Sequence, residues 1–117
     1  MDIEKIWEYC SSMNGASESF PFDTKTLVFK VGGKIFALMS VENFKSINLK
    51  CNPEKAIELR EQFTGIIPGY HMNKKHWNTV LINDDVTDKY LFELINHSYQ
   101  LVFNALPKKI KDGISIG

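Results

Sequence analysis

TLVFKVGGKIFALM, residues 26–39, is the stretch that decides the fold of this chain. In its first half, Leu27, Phe29 and Val31 would point to one face of a strand and Val28 and Lys30 to the other. Its second half is apolar on both faces. Both patterns are typical of strands in a partly buried sheet. Gly32 and Gly33 separate the halves and accept the positive φ that a tight turn requires. The stretch therefore predicts a β-hairpin, with Lys30 and Lys34 projecting near its end.

Patterns on either side of this hairpin predict the other elements. Apolar residues at helical spacing predict helices, Asn52 and Pro53 form a helix start, and alternating segments predict further strands. In chain order, the predicted elements are helix 2–13, an irregular or edge segment 17–23, strands 26–31, 34–39 and 44–51, helix 53–63, strands 66–70 and 77–82, and a last helix from Asp85 or Thr87 to about residue 106.

This order, α-β-β-β-α-β-β-α, fits one domain over residues 1–117. Strands joined by hairpins are antiparallel, and amphipathic helices cover the sheet with their apolar stripes. We therefore expect an α+β two-layer sandwich, with an antiparallel sheet of about five strands and the helices on one face.

Composition excludes few functional classes. Lys and Arg number 14 and Asp and Glu number 14, so net charge points neither to nucleic acid nor to an acidic partner. The charges are unevenly spread, however, with acids concentrated in residues 1–23 and lysines in residues 24–50. A neutral protein of this kind is compatible with one basic face.

Cys10 and Cys51 lie far apart in predicted helix and strand contexts, without the spacing of a disulfide framework. We interpret them as reduced core thiols of a cytoplasmic protein. No apolar run approaches the roughly 20 residues that cross a bilayer, so no membrane association is expected.

The segment IIPGYHMNKKHWNTVLI, residues 66–82, is the most unusual in the chain, and between its two strand-like parts lies a short tip that holds residues 73–76. Lys74 and Lys75 suit DNA phosphates, and His76 and Asn78 suit phosphates or base edges. Trp77 either stacks on a base or packs beneath the tip. Other lysines extend this candidate nucleic-acid surface: Lys30, Lys34, Lys108, Lys109 and Lys111. The tip contains no Arg, which argues against bidentate recognition of guanine.

A module that binds a protein or a small ligand is the alternative. Such a partner would occupy the sheet face without helices, or a cleft beside Tyr70, His71 and Trp77. Apolar residues off the main stripes are either this surface or the filling of the sandwich edges: Phe36, Leu38, Phe92, Tyr99 and Phe103.

The histidines do not form a recognisable catalytic group. His97 and Ser98 are adjacent in a predicted helix, so their side chains diverge. His71 and His76 lack the further ligands of a metal site, and no phosphate-binding glycine motif points to a cofactor. A non-enzymatic protein without metal or cofactor is therefore expected.

Four segments carry a resemblance to a known family: FPFDTKTLVFKVGGKIFAL at 20–38, SINLKCNPEKAIELRE at 46–61, PGYHMNKKHWNTV at 68–80 and HSYQLVFNALPKK at 97–109. With them the chain resembles the MmcQ/YjbR family of small bacterial proteins. The resemblance implies a two-layer α+β fold similar to secretion chaperones and to the frataxin-like CyaY fold. It also implies a "double-wing" DNA-binding type, with double-stranded DNA as the expected partner.

Overall fold

The computed structural model describes residues 1–69 and 72–116. Over these residues the elements are α1 Ile3–Ser12, β1 Ala16–Ser19, β2 Thr26–Val31, β3 Lys34–Ser40, β4 Ser46–Lys50, α2 Pro53–Gln62, β5 Ile66–Pro68, β6 Trp77–Leu81, α3 Asp88–Asn104 and α4 Lys108–Ile116. The strands form one antiparallel sheet in the order β1-β2-β3-β4-β6-β5. The predicted fold class is therefore confirmed.

Two elements differ from the prediction. The sheet has six strands instead of about five, because β1, at the start of the segment predicted as irregular or edge, pairs with β2. The other difference is α4, which begins directly after Pro107. This proline ends α3, as predicted, but its carbonyl accepts hydrogen bonds from the N–H groups of Ile110 and Lys111, both at 3.0 Å. Proline is well suited to the start of a helix because no hydrogen bond is needed from its nitrogen.

The helices pack on one face of the sheet. Residues directly opposite each other in antiparallel strands point to the same face, and one such row contains Leu27, Met39, Ile47, Val80 and Ile66. This row belongs to the hydrophobic core, together with side chains of α1, α2 and α3. The neighbouring row starts at Val28 and Leu38, which are buried outside that core. It marks the face without helices.

An irregularity in β3 is completed by a side chain from α3. Phe29 pairs with Ala37 and Lys30 pairs with Ile35, so Phe36 has no partner in β2. This is the pairing of a β-bulge, which interrupts a hydrogen-bond ladder.

Ser98 of α3 forms hydrogen bonds where the ladder is interrupted. Its hydroxyl donates to the Phe36 carbonyl at 2.6 Å and accepts from the Lys50 N–H at 2.9 Å. Ser98 is completely buried. A residue at a small position of the apolar stripe thus provides a polar bridge between β3 and β4.

Two of the aromatic residues considered for a partner surface are instead in the core. Phe36 is fully buried and Tyr99 is 6% exposed, with their rings edge to face at 5.4 Å. Phe92 and Phe103 are partly buried against the core, and Leu38 lies on the face without helices. The hypothesis of an exposed surface built from these five residues is therefore wrong.

Cys10 and Cys51 are buried, free thiols, as expected. Burial raises the pKa of Cys10 to about 12 and also raises that of Cys51, so both are kept protonated. None of the helices in the described ranges combines the length and apolar character needed to span a bilayer.

Candidate functional site

The strand directions gather one set of residues at one end of the sheet. The last residues of β2 and β4 lie at the same end as the first residues of β3 and β6, because neighbouring antiparallel strands alternate in direction. The C-terminal part of α3 faces this end. Between them is a cavity of about 530 Å³, here called the basic cleft, lined by Lys30, Gly33, Lys34, Ile35, Lys50, Trp77, Val102, Ala105, Leu106 and Pro107.

The charged groups of the basic cleft are all cationic. Lys34 is exposed, Lys30 and Lys50 are half-buried, and the lining contains no carboxylate. Within residues 1–69 and 72–116, the ion pairs are those of the N-terminal amine with Asp88 at 3.7 Å and of Lys25 with Glu42 at 2.9 Å. None of the cleft lysines is neutralised in this way.

Trp77 is half-buried and lies directly opposite Lys50 in the pairing of β4 with β6. Its indole N–H has no hydrogen-bond partner among the described residues. The other tryptophan, Trp7, donates its indole N–H to a carboxylate oxygen of Glu18 at 2.6 Å. Trp77 therefore contributes an aromatic side chain to the lining of the cleft.

The tip, residues 72–76, is an ordered turn that leads into β6. The Asn73 side-chain oxygen accepts from the Lys75 N–H at 2.9 Å, and its carbonyl accepts from the N–H groups of His76 and Trp77 at 3.2 and 3.0 Å. An asparagine that bonds to nearby backbone in this way fixes a turn. Lys74 and Lys75 are exposed on it, outside the lining of the basic cleft.

Arg60 of α2 holds the tip to the body of the protein. Its Nε donates to the Asn78 side-chain oxygen at 2.7 Å, and its guanidinium also donates to the carbonyls of Lys74 and, at 3.3 Å, Trp77. Arg60 is the only arginine in the sequence. The sequence alone did not single out this arginine, because its contacts depend on how α2 packs against the tip.

Asn78 was predicted to contact nucleic acid, and the structure places it elsewhere. It is 2% exposed, and its side chain donates to the Ala56 carbonyl at 3.4 Å while accepting from Arg60. A buried amide satisfied on both sides cannot also reach a ligand in solution. Asn78 is a residue that positions the tip.

The histidines occupy separate environments. His76 is half-buried, and its carbonyl accepts from the Cys51 N–H at 2.8 Å. The Nε2 of His97 accepts from the Asn52 N–H at 3.2 Å, and burial together with the nearby Lys55 ammonium lowers its pKa. No group of three or more His, Cys, Asp or Glu in the described part of the chain is placed to hold a metal ion.

The other predicted site residues lie in α4 or outside the described part of the chain. Lys108 and Lys109 are exposed in the first turn of α4 and adjoin the basic cleft through Pro107. Lys111 donates to the Asn104 carbonyl at the end of α3, at 3.4 Å. Tyr70 and His71, the candidates for a ligand cleft, lie outside the described residues.

A second cavity, of about 540 Å³, lies on the sheet face without helices. Its lining is mixed apolar and polar: Phe22, Thr26, Ile35, Leu38, Met39, Ser40, Ser46, Asn48 and Met72. Phe22 at its rim is 68% exposed. This groove corresponds to the uncovered face that the sequence predicted as an alternative surface.

A family model described as YjbR matches residues 11–101. The chain belongs to the YjbR family. The match to YjbR includes the whole tip and the cleft residues Lys30, Lys34, Lys50 and Trp77, but ends before α4 with Lys108 and Lys109.

Relatives and solved structures agree with this assignment. "Uncharacterized protein YjbR" of Escherichia coli K12 is 36% identical over 110 residues, which cover 93% of each chain. "Uncharacterized protein YbdF" of E. coli O157:H7 is 43% identical over 91 residues, covering 77% of this chain and 75% of that protein. The crystal structure of Deinococcus radiodurans protein DR2400 has a TM-score of 0.91 at 36% identity, covering 97% of this chain and 87% of that one. A crystal structure of a protein from Pseudomonas syringae has a TM-score of 0.73 at 31% identity, covering 87% of this chain and 99% of that one.

Proposed function

We propose that this member of the YjbR family is a non-enzymatic, cytoplasmic DNA-binding protein that contacts DNA with the basic cleft and the lysines around it. One observation carries the proposal. Lys30, Lys34 and Lys50 come from three different strands, converge beside Trp77, and share their cleft with no carboxylate. The neutral overall charge therefore conceals a locally cationic surface.

Lysines of this kind bind the DNA backbone. Each lysine that neutralises a phosphate releases condensed counterions, which supplies most of the affinity for DNA without regard to sequence. Lys74 and Lys75 on the tip, and Lys108 and Lys109 on α4, would extend the contact beyond the cleft. The hydrogen bonds of Arg60 and Asn73 hold the tip in place, so its lysines are presented on a fixed turn.

The proposal implies weak preference for DNA sequence. Bidentate recognition of guanine is mostly performed by arginine, and the only arginine of this chain is engaged with Asn78 and the tip carbonyls. The amide of Asn78, a group suited to adenine, is buried. What remains at the surface contacts phosphates better than base edges.

The test is a titration of duplex DNA at about 50 and 200 mM salt. The variants Lys34→Ala and Lys50→Ala are compared with Lys45→Ala and Lys89→Ala, which remove exposed lysines at the opposite end of the sheet. We expect affinity to fall steeply with salt, and the salt slope to decrease by about 0.9 for each phosphate that a cleft variant no longer neutralises. No binding at the lower salt concentration, or an equally weakened affinity in the cleft and control variants, would contradict the proposal.

A partner protein is the second candidate, and a specific observation favours it. Trp7, Phe20 and Val41 are exposed apolar side chains that line a cavity together with Glu18 of β1, an edge strand that pairs with β2. Free strand edges and apolar patches are common sites of association. A protein retained by the wild type and by Lys34→Ala but not by Phe20→Ser would assign the function to this surface and not to the basic cleft.

A further inference from the structure

The basic cleft has an apolar floor that contact with DNA phosphates leaves unexplained. Ile35, Val102, Leu106 and Pro107 line it together with Trp77, and the lysines are the charged residues of the lining. Its volume of about 530 Å³ is in the range of pockets that enclose small ligands. We infer that the cleft accepts one unpaired nucleotide of single-stranded DNA, an inference that rests on the proposed DNA binding.

Charge and shape together select this occupant. An apolar ligand would not require the three lysines, and the backbone of an intact duplex would not fill the apolar floor, because its bases remain stacked inside the helix. An unpaired nucleotide satisfies both parts, since its base has an apolar face and its phosphates are anionic. Single-stranded DNA is bound in this way by an aromatic platform within a cationic groove.

Trp77 is the residue that would form the platform. Its indole lines the cleft, and the indole N–H, which has no partner among the described residues, can donate to a base carbonyl or to a phosphate oxygen. The platform is also held in place. The backbone carbonyl of Trp77 accepts from the Gly69 N–H at 2.9 Å and from Arg60, and the backbone N–H of Trp77 donates to the Asn73 carbonyl. The backbone that carries the indole is therefore fixed before a base arrives.

The experiment measures Trp77 fluorescence in a Trp7→Phe background, where Trp77 is the only tryptophan. The probes are an oligothymidylate of about 12 nucleotides, a duplex of the same length, and thymidine monophosphate. We expect the single strand to bind more tightly than the duplex and to quench Trp77. For the Trp77 variants, which lack this signal, binding is measured by the fluorescence anisotropy of a labelled oligonucleotide. We expect Trp77→Leu to weaken binding of the single strand by about 5- to 150-fold, and Trp77→Phe to retain part of the affinity.

A second variant does not alter Trp77 and protects the test from a failure to fold. Ala105 is an exposed cleft residue, and Ala105→Phe would fill the cleft. We expect it to weaken binding of the single strand by a larger factor than binding of the duplex, because only the single strand places a base inside the cleft. Trp7→Leu, which changes a tryptophan outside the cleft, is the matched control and should leave single-strand affinity intact.

Each outcome decides between the two proposals. Equal affinity for single strand and duplex, with no weakening in Trp77→Leu or Ala105→Phe, overturns the nucleotide pocket but leaves the proposed DNA binding in place. Absence of binding to either form overturns both. Thymidine monophosphate bound as tightly as the oligomer also overturns the inference, because the site would then take a free nucleotide and not a DNA strand.

Discussion

Replacing Arg60 tests whether α2 holds the tip in place. Arg60→Ala removes the donors to three oxygen atoms, but the consequences for the three are unequal. The Trp77 carbonyl keeps its bond from Gly69 at 2.9 Å, and the Lys74 carbonyl lies in an exposed turn where water can replace the guanidinium. The side-chain oxygen of Asn78, which is 2% exposed, loses the only donor found for it among the described residues.

The expected cost follows from that one buried oxygen. Leaving a buried acceptor unsatisfied costs about 1–3 kcal/mol, so Arg60→Ala should lower the free energy of unfolding by about this amount. Arg60→Lys should recover little of it, since an ammonium does not reproduce the fork of donors that a guanidinium provides.

The assay is equilibrium unfolding in urea for Arg60→Ala, Asn78→Ala and the double variant. Because the two side chains act as a pair, the double variant should be more stable than the sum of the two single destabilisations predicts, by at least about 0.5 kcal/mol. Strict additivity, or a destabilisation below about 0.5 kcal/mol in Arg60→Ala, would refute the role assigned to this arginine.

Three further predictions concern the scaffold around the site. Ser98→Ala leaves the two backbone groups bridged by its hydroxyl unpaired and should lower the free energy of unfolding by about 2–4 kcal/mol in urea, whereas a decrease below about 1 kcal/mol would contradict the bridge. Gly32→Ala should lower the thermal midpoint more than Gly33→Ala. Both glycines have positive φ, +58° and +81°. A Cβ at Gly32 would lie 2.6 Å from a side-chain atom of Leu106, just beyond α3, whereas a Cβ at Gly33 would meet nothing within 4 Å. Equal decreases of the thermal midpoint in the two variants would contradict the packing of this turn. Because the pKa of His97 is lowered by folding, the unfolded chain binds more protons near its unperturbed pKa of about 6.5, so stability should decrease as pH falls from about 7.5 to about 5.5. The decrease should be smaller in His97→Gln, and an identical pH dependence in both proteins would show that this histidine is not its source.

Local patterns predicted most of the fold. The hairpin of β2 and β3 follows from two alternating segments around Gly32 and Gly33, and α3 follows from an uninterrupted apolar stripe. These signals are contained in neighbouring residues, so no knowledge of the tertiary structure is needed. The four-residue strand β1 begins in a segment that was predicted only as irregular or edge, and α4 was not predicted because Pro107 indicated the end of the last helix.

The site was less predictable because it depends on the order of the strands. Lys30, Lys34 and Trp77 were identified as candidates, but the hairpins that carry them are separated by β4 and α2 in the chain. Lys50 was missed as a site residue, since its position at the cleft is fixed by the pairing of β4 with β6. Asn78 was misassigned, and Arg60 was overlooked, for a similar reason. Their contact depends on how α2 is rotated against the tip, and the weak apolar stripe of that helix does not determine this.

The most direct test of the central claim is a map of backbone amide chemical shifts during a titration with DNA. DNA binding at the basic cleft predicts that the largest changes occur at Lys30, Lys34, Lys50 and Trp77, with the tip and the start of α4 affected less. Residues at the opposite end of the sheet, such as Lys45, should remain unchanged. Changes concentrated around Phe22 on the face without helices, or no changes at saturating DNA, would contradict the account.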